Sequence, residues 1–410
     1  VLARLRRRSR VGVLYDATAD EDFCRSLISA MSEGTEMGTS HGKILFSKTS
    51  AFDELAGEDP SQLSVRRSSV EQSNTSIVLG EKLVLKVFRR IQRGTNPDLE
   101  VGRFLTEVAG FKNTPPLAGA VEYHGRGTEP TTLGILQGFV PNQGDGWSYV
   151  LDRLAMYLED HLVSPWLPDN NDSEEEEPTD IFFLGLMRAL GYRTGELHKA
   201  FATPTEDPDF AAEPVSKEEF KGWTKGVREE ARETIKLLQK SRDGLPEALH
   251  PAVDELVERR KEISTRVKAF ADLDIDAVKT RHHGDYHLGQ VLVSNNDFQI
   301  IDFEGEPARP LAERRKKHSP LRDVAGMLRS FNYAAYSALQ NVSAERMDNY
   351  EEMQEWAREW EGNTCAAFLD GYEGGAAGCA SYPEDPEHLN ALVELFTLEK
   401  ALYEIRYELD

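Results

Sequence analysis

The sequence predicts an α+β protein: a small sheet-containing N-terminal lobe followed by a larger, mostly helical C-terminal lobe. Three observations carry this expectation. Residues 76–88 form two β-rich runs joined by a tight Gly80-Glu81-Lys82 turn, a hairpin signal. From residue 181 onward, apolar residues recur at helical spacing over about 181–202, 216–241, 247–271, 321–341, 344–373 and 386–408. Only one short pair of apolar runs, Gln290–Val293 and Phe298–Phe303, interrupts that helical stretch, split by the turn-forming Ser294-Asn295-Asn296-Asp297.

The remaining elements follow in order. Residues 1–35 read as helical, and the five arginines between Arg4 and Arg10 read as the basic face of a short helix, with a nucleic-acid arm as the alternative. Residues 42–70 offer short alternating runs such as Lys43-Ile44-Leu45-Phe46. Asp98 to Gly110 reads as a helix with Asp98 as its N-cap and Leu99, Phe104, Leu105 and Val108 recurring at near-helical spacing. Apolar runs at 120–123 and 132–140 complete a small sheet, and 151–162 looks helical. The acidic run within 168–179 reads as a solvated linker. Trp356 and Trp360 share one helix face, as core packing residues do. No internal repeat is evident. The expected organisation is 1–70, 71–145 and 146–410.

Composition narrows the function. The chain has 410 residues, 48 basic against 71 acidic side chains, and a net charge of −23. That excess of acid argues against nucleic-acid binding and against adhesion to an anionic membrane. A hydrophobic fraction of 40% supports a substantial core, and no apolar run reaches the length of a membrane span. Cys24, Cys365 and Cys379 form no C-x-x-C pattern, so neither a disulfide framework nor a zinc site is indicated, and a cytoplasmic setting fits. The chain begins at Val1 with no signal-peptide pattern, and reads as a segment cut from a longer polypeptide.

The chemistry-bearing motifs flank the hairpin in the helical lobe. His283-Gly284-Asp285-Tyr286-His287-Leu288-Gly289-Gln290 precedes it and Ile300-Ile301-Asp302-Phe303-Glu304 follows. Phosphoryl transfer needs a carboxylate to accept the attacking hydroxyl's proton, and oxygen ligands for Mg²⁺. Asp285, Gln290 and Asp302 match the order and spacing of the catalytic Asp, Asn and later metal-binding Asp of kinases. Lys86, a charge within an apolar strand, needs a partner or ligand. Glu107 on the next helix is the expected partner. No G-x-G-x-x-G is present; Ser73, Asn74, Thr75 and Ser76 stand where such a loop would lie and offer hydroxyls, an amide and turn amides to phosphate.

These blocks, together with Asn96-Pro97-Asp98-Leu99-Glu100, Phe139-Val140-Pro141-Asn142-Gln143-Gly144-Asp145-Gly146-Trp147 and Ser319-Pro320-Leu321-Arg322-Asp323-Val324-Ala325-Gly326-Met327, resemble bacterial maltokinases from about residue 70 to the C-terminus. The resemblance implies a bilobal, protein-kinase-like fold. It implies transfer of the ATP γ-phosphate to the anomeric hydroxyl of maltose, giving maltose 1-phosphate for glycogen or α-glucan synthesis. It further implies an N-terminal cap subdomain, of which 1–70 would be a remnant, and fusion to or association with trehalose synthase. Carried over, Asp285 is the base, Gln290 and Asp302 bind Mg²⁺, and Lys86 with Glu107 anchors phosphate. Gln137, Phe139 and Val140 lie in the hinge beneath the adenine, and Asp145 reaches the ribose.

A disaccharide site wants planar polar groups and an aromatic platform. His287, Glu306, Arg309, Lys400, Tyr403 and Arg406 are the candidates, the last three repeating along the C-terminal helix, with surface salt bridges between helix neighbours as the plainer alternative. Two other readings stay open: a kinase of the same fold for another small hydroxylated molecule, and a non-catalytic pseudokinase module.

Overall fold

A computed structural model describes residues 2–67, 74–163, 181–343 and 349–409. Ser73 and the acidic linker at 168–179 lie outside the described residues. The chain divides into two compact units, 1–143 with 299–315, and 144–298 with 316–410. The fold is α+β.

The first unit opens on a hairpin, β1 (Ala3–Arg7) and β2 (Arg10–Leu14), paired from Ala3↔Leu14 to Arg7↔Arg10. This corrects the helical reading of 1–35. Arg4, Arg6 and then Val11, Val13 alternate with period 2, and Arg8 adopts φ 58° at the turn, so helix there is confined to a 3-10 turn, Ala17–Ala19, and α1 (Glu21–Glu33). Strands β3 (Glu36–Thr39), β4 (Gly42–Lys48), β5 (Val65–Arg67), β6 (Asn74–Leu79), β7 (Leu83–Phe88), β8 (Leu117–Gly125) and β9 (Thr131–Gly138) form one seven-stranded sheet of order β3-β4-β8-β9-β7-β6-β5. The strands within 36–67 therefore share a sheet with the Lys86 strand.

The pairing is antiparallel throughout, with Ser76↔Lys86 and Lys86↔Ile135 in register. One face of the sheet buries Ile77, Leu79, Leu85 and Leu136 against Ile28 and Met31 of α1 and Phe52 of the short helix α2 (Phe52–Ala56). Helix α3 (Pro97–Phe104) is capped by Asn96, whose Oδ1 accepts the Asp98 N–H at 2.8 Å, and continues as a π-helical turn, Leu105–Ala109. Asp98 thus lies in the first turn rather than at the cap. The unit also contains residues 299–315, including helix α9 (Leu311–Arg314), which the sequence reading assigned to the helical lobe. Arg315 ties this segment to Glu100 of α3 through paired bonds of 2.7 and 2.9 Å.

The second unit is built from α4 (Gly146–Val163), α5 (Ile181–Phe201), α6 (Lys217–Ser241), α7 (His250–Glu258), α8 (Arg260–Phe270), α10 (Leu321–Ser343), α11 (Tyr350–Ala376) and α12 (Pro386–Leu409). A two-residue ladder joins β10 (Glu213–Pro214) to β11 (Val278–Lys279), and the late hairpin is β12 (Val291–Ser294) with β13 (Asp297–Ile300). Helices α5 and α11 touch backbone to backbone: a Cβ on Gly191 would lie 1.9 Å from the Phe368 carbonyl oxygen, and one on Gly371 1.9 Å from that of Arg188. Trp360 is buried and stacks on Phe183 at 5.5 Å, the packing role its helix face predicts.

Candidate active site

The sheet-bearing unit gathers Lys86, Asp98, Asp302 and Glu304. Strand β7 turns Lys86 toward α3 and the 302–304 segment. Its Nζ donates to Asp302 Oδ1 at 2.5 Å and Asp98 Oδ2 at 2.8 Å, and lies 3.0 Å from Glu304 Oε1. Asp98 is fully buried, and its second oxygen accepts the Phe303 N–H at 3.2 Å. Asn74, at the start of β6, donates to Glu304 Oε1 at 2.7 Å.

Burial alone would depress the Lys86 ammonium, but Asp98, Asp302 and Glu304 outweigh it and hold the pKa well above the usual lysine range. Burial pushes the Asp98 carboxyl above its ordinary value, with Lys86 pulling against that shift. Asp302 adopts φ 67°, a left-handed conformation that costs a non-glycine residue about 1 kcal/mol or more. The ion pair to Lys86 helps hold it there.

Three carboxylates around one ammonium leave an excess of negative oxygen. Ligand oxygens of Asp98, Asp302 and Glu304 fall within 4.8 Å of one another. Asp98 has no exposed surface, whereas the Asp302 and Glu304 side chains are 35% and 18% exposed. A hard, oxygen-seeking cation such as Mg²⁺ therefore fits Asp302 and Glu304 best.

The expected Lys86–Glu107 pair is not formed. Glu107 lies in the π-helical turn and is exposed; its Oε1 accepts the Ser50 N–H at 3.0 Å. Asn74, Thr75 and Ser76 belong to strand β6 rather than to a turn. Asn74 is committed to Glu304, and Thr75 Oγ1 accepts from Arg89 Nε at 3.0 Å. Gln137 ends β9 opposite Val84 and Leu117, and the Phe139 N–H donates to the Lys82 carbonyl at 2.8 Å. The Val140 carbonyl accepts from Asn142 at 2.9 Å. Glu306 and Arg309 share a turn, Arg309 N–H donating to the Glu306 carbonyl at 3.0 Å.

In the helical unit, Asp285 follows Gly284, which has φ 84°, in the loop before β12. Asp323 at the start of α10 anchors that loop: its carboxylate accepts the His283 N–H at 2.7 Å and the Gly284 N–H at 2.9 Å, and lies 3.2 Å from His198 Nε2. Burial would raise the Asp323 pKa, but the His198 hydrogen bond and the surrounding imidazoles keep it below the usual carboxylate range. His198 Nδ1 in turn meets the Tyr372 hydroxyl at 2.9 Å, and Tyr286, buried beneath the loop, pairs its hydroxyl with Thr194 at 2.9 Å. Burial pushes His282 down to about 3, so it is neutral at physiological pH; its Nδ1 is buried and has no hydrogen-bond partner.

Lys400 Nζ stands 3.6 Å from Asp285 Oδ1 and 5.0 Å from the Tyr403 ring centre. Arg406 instead faces Glu230 at 3.6 Å, and His287 Nδ1 accepts the Gly289 N–H at 3.1 Å, closing the short turn that carries Gln290. The ion pairs of α12 reach other helices rather than neighbours along it: Arg322–Glu399 at 2.8 Å and Arg329–Glu404 at 2.7 Å. Asp145, read as a ribose ligand, caps α4, accepting the Ser148 N–H at 2.8 Å.

Sequence reasoning missed Asp98 and Glu304 as working groups, whereas Asp323 was expected to support the loop or begin the helix, and it does both. Glu304 carried a signal, since it stands two residues after Asp302. Asp98 sits where acids commonly favour a helix N-terminus, which masks a second role.

No protein-family model matches the chain. Over 273 residues it is 26% identical to a glucosamine kinase of Mycolicibacterium smegmatis, covering 67% of this chain and 60% of that protein. Over 266 residues it is 24% identical to a glucosamine kinase of Streptacidiphilus jiangxiensis, covering 64% and 53%. The chain thus spans little more than half the length of these relatives. Among solved structures, a glucosamine kinase in complex with glucosamine, ADP and inorganic phosphate aligns at TM-score 0.67 and 19% identity, covering 94% of this chain and 79% of that one. A second crystal form of glucosamine kinase aligns at 0.67 over 98% of this chain. These likenesses show a kinase-like fold. No helix among the described residues is long and apolar enough to cross a membrane.

Proposed function

We propose that the chain transfers the γ-phosphoryl group of ATP to a hydroxyl of a small sugar. One observation carries this reading: a strand lysine and an aspartate 216 residues later meet at 2.5 Å, the pairing a nucleotide-phosphate anchor and a metal-binding carboxylate require. In this reading Lys86 neutralises phosphate charge, while Asp98 holds the ammonium in place. Asp302 and Glu304 would hold Mg²⁺, and the ion would supply charge neutralisation at the transferred group; the kinase-like spacing alone offers Gln290 as a further amide ligand. Asp285 orients the sugar hydroxyl and accepts its proton, and Asp323 fixes the loop that presents Asp285. Lys400 and Tyr403 offer a donor and a ring face to the sugar.

Glucosamine is the first acceptor to test, because two relatives and two of the aligned structures are glucosamine kinases. Maltose, acting at its anomeric hydroxyl, is the second, favoured by the maltokinase-like blocks around Asn96–Glu100 and Asp285–Gln290. A coupled ADP-release assay with ATP, Mg²⁺ and each sugar decides between them, and phosphorus NMR of the product locates the ester. Asp285→Ala should lower kcat by about 10²–10⁴ with nucleotide affinity retained. A chain that binds no Mg·ATP and turns over no sugar would be a pseudokinase module instead.

A further inference from the structure

Beside the Lys86 cluster, and wholly within the sheet-bearing unit, lies a cavity of about 100 Å³ whose wall shares only Glu304 with the proposed metal site. Its wall includes Asn74, Arg90, Gln92, Glu304 and Arg314, with Phe88 as an apolar side. The hydrogen-bonding account of these groups is one-sided. Glu304, the carboxylate among them, is already committed to Lys86 at 3.0 Å and to Asn74 at 2.7 Å. Gln92 spends its carbonyl oxygen on Arg314 Nη2, and its amide nitrogen is a donor only. Arg314 Nη1 donates to the Glu304 main-chain carbonyl at 3.0 Å, yet its Nε is buried with no partner. Arg90 makes no ion pair among the described residues. Among the lining side chains, two guanidinium groups and an amide therefore stand against one carboxylate, Glu304, which shares Lys86 with Asp98 and Asp302.

A surplus of fixed donors around a small volume selects a compact oxyanion, because guanidinium groups bind such ions through charge-assisted bonds. We propose that this cavity is a binding site for a tetrahedral oxyanion, inorganic phosphate or the phosphate of a monoester, distinct from the nucleotide site. The site is wired to the Lys86 cluster through Glu304, whose main chain is held by Arg314 and whose side chain holds Lys86. An occupant that draws Arg314 toward itself alters the support of Glu304, and with it the setting of Lys86.

The test is thermal melting of the full chain in rising inorganic phosphate or glycerol phosphate, at ionic strength matched with chloride, with and without saturating Mg·ADP. The expected result is a saturable rise in melting temperature with at least one of the two that persists with nucleotide bound. The more potent of the two identifies the source. Arg90→Gln, an exposed change, and Arg314→Gln should each weaken the half-saturating concentration about tenfold or more. No saturable rise, a rise abolished by nucleotide, or a rise unchanged in Arg90→Gln would each overturn the proposal.

Discussion

Replacing Asp98 by Asn removes one carboxylate from around Lys86 while keeping its shape. Breaking a buried ion pair outright costs about 3–5 kcal/mol. Here Lys86 retains Asp302 at 2.5 Å and Glu304 at 3.0 Å, and the loss of one of three crowded acids relieves repulsion. The net cost should fall to about 1–2 kcal/mol, seen as a melting temperature lower by a few degrees. The functional cost is larger in kind. Asp98 meets Lys86 at 2.8 Å and also receives the Phe303 N–H at 3.2 Å, so it sets both the ammonium and the segment carrying Asp302. Without its charge, Lys86 is drawn toward Asp302 and competes for the carboxylate proposed to hold the metal. The KM for ATP should rise about tenfold, measured by ADP release at saturating sugar. Glu107→Gln is the control. That side chain caps an exposed backbone N–H at 3.0 Å, so its kinetics should stay within about twofold. A silent Asp98→Asn, or a Glu107→Gln as damaging as it, would refute the assignment.

Asp323→Asn leaves one carbonyl oxygen where two carboxylate oxygens served His283, Gly284 and His198, so kcat should fall at least about tenfold while ATP affinity, read by calorimetry, holds. His282 has a folded pKa near 3, against about 6.5 when exposed, so the unfolded chain binds the extra proton; stability should fall as pH drops from 6.5 toward 3, by up to about 1.4 kcal/mol per unit, and His282→Gln should flatten that slope in urea titrations. Gly191→Ala places a methyl 1.9 Å from the Phe368 carbonyl oxygen, so α5 and α11 must separate, and unfolding free energy should drop by about 3 kcal/mol or more.

What the sequence disclosed and what it withheld divide along one physical line. Signals written within a few residues were readable. The 76–88 hairpin follows from its turn residues, the long helices from their 3.6-residue period, Lys86 from the cost of a charge in an apolar run, and Asp302 from its spacing after Asp285 and Gln290. The opening hairpin misled because Arg, Leu and Val alternate there, and a basic run invites a helical reading before the period is counted. Partnerships were another matter, because a partner depends on phase. Asp98 and Glu107 are nine residues apart, two and a half turns, so an ideal helix already points them to opposite sides. The chain between β7 and α3 decides which side meets the lysine, and nothing local records its path. The structure resolves the choice: Asn96 and Pro97 start the helix so that its first turn, not its third, meets Lys86. Glu107 falls beyond the α-helical part, in a π-helical turn that shifts the phase again. The same reasoning explains why 299–315 joins the sheet-bearing unit. Its place is fixed by Asp302 on Lys86 and Arg315 on Glu100, long-range charge pairs that no periodicity announces. A charged residue in an apolar strand therefore states that a partner exists, and only the path of the backbone states which one.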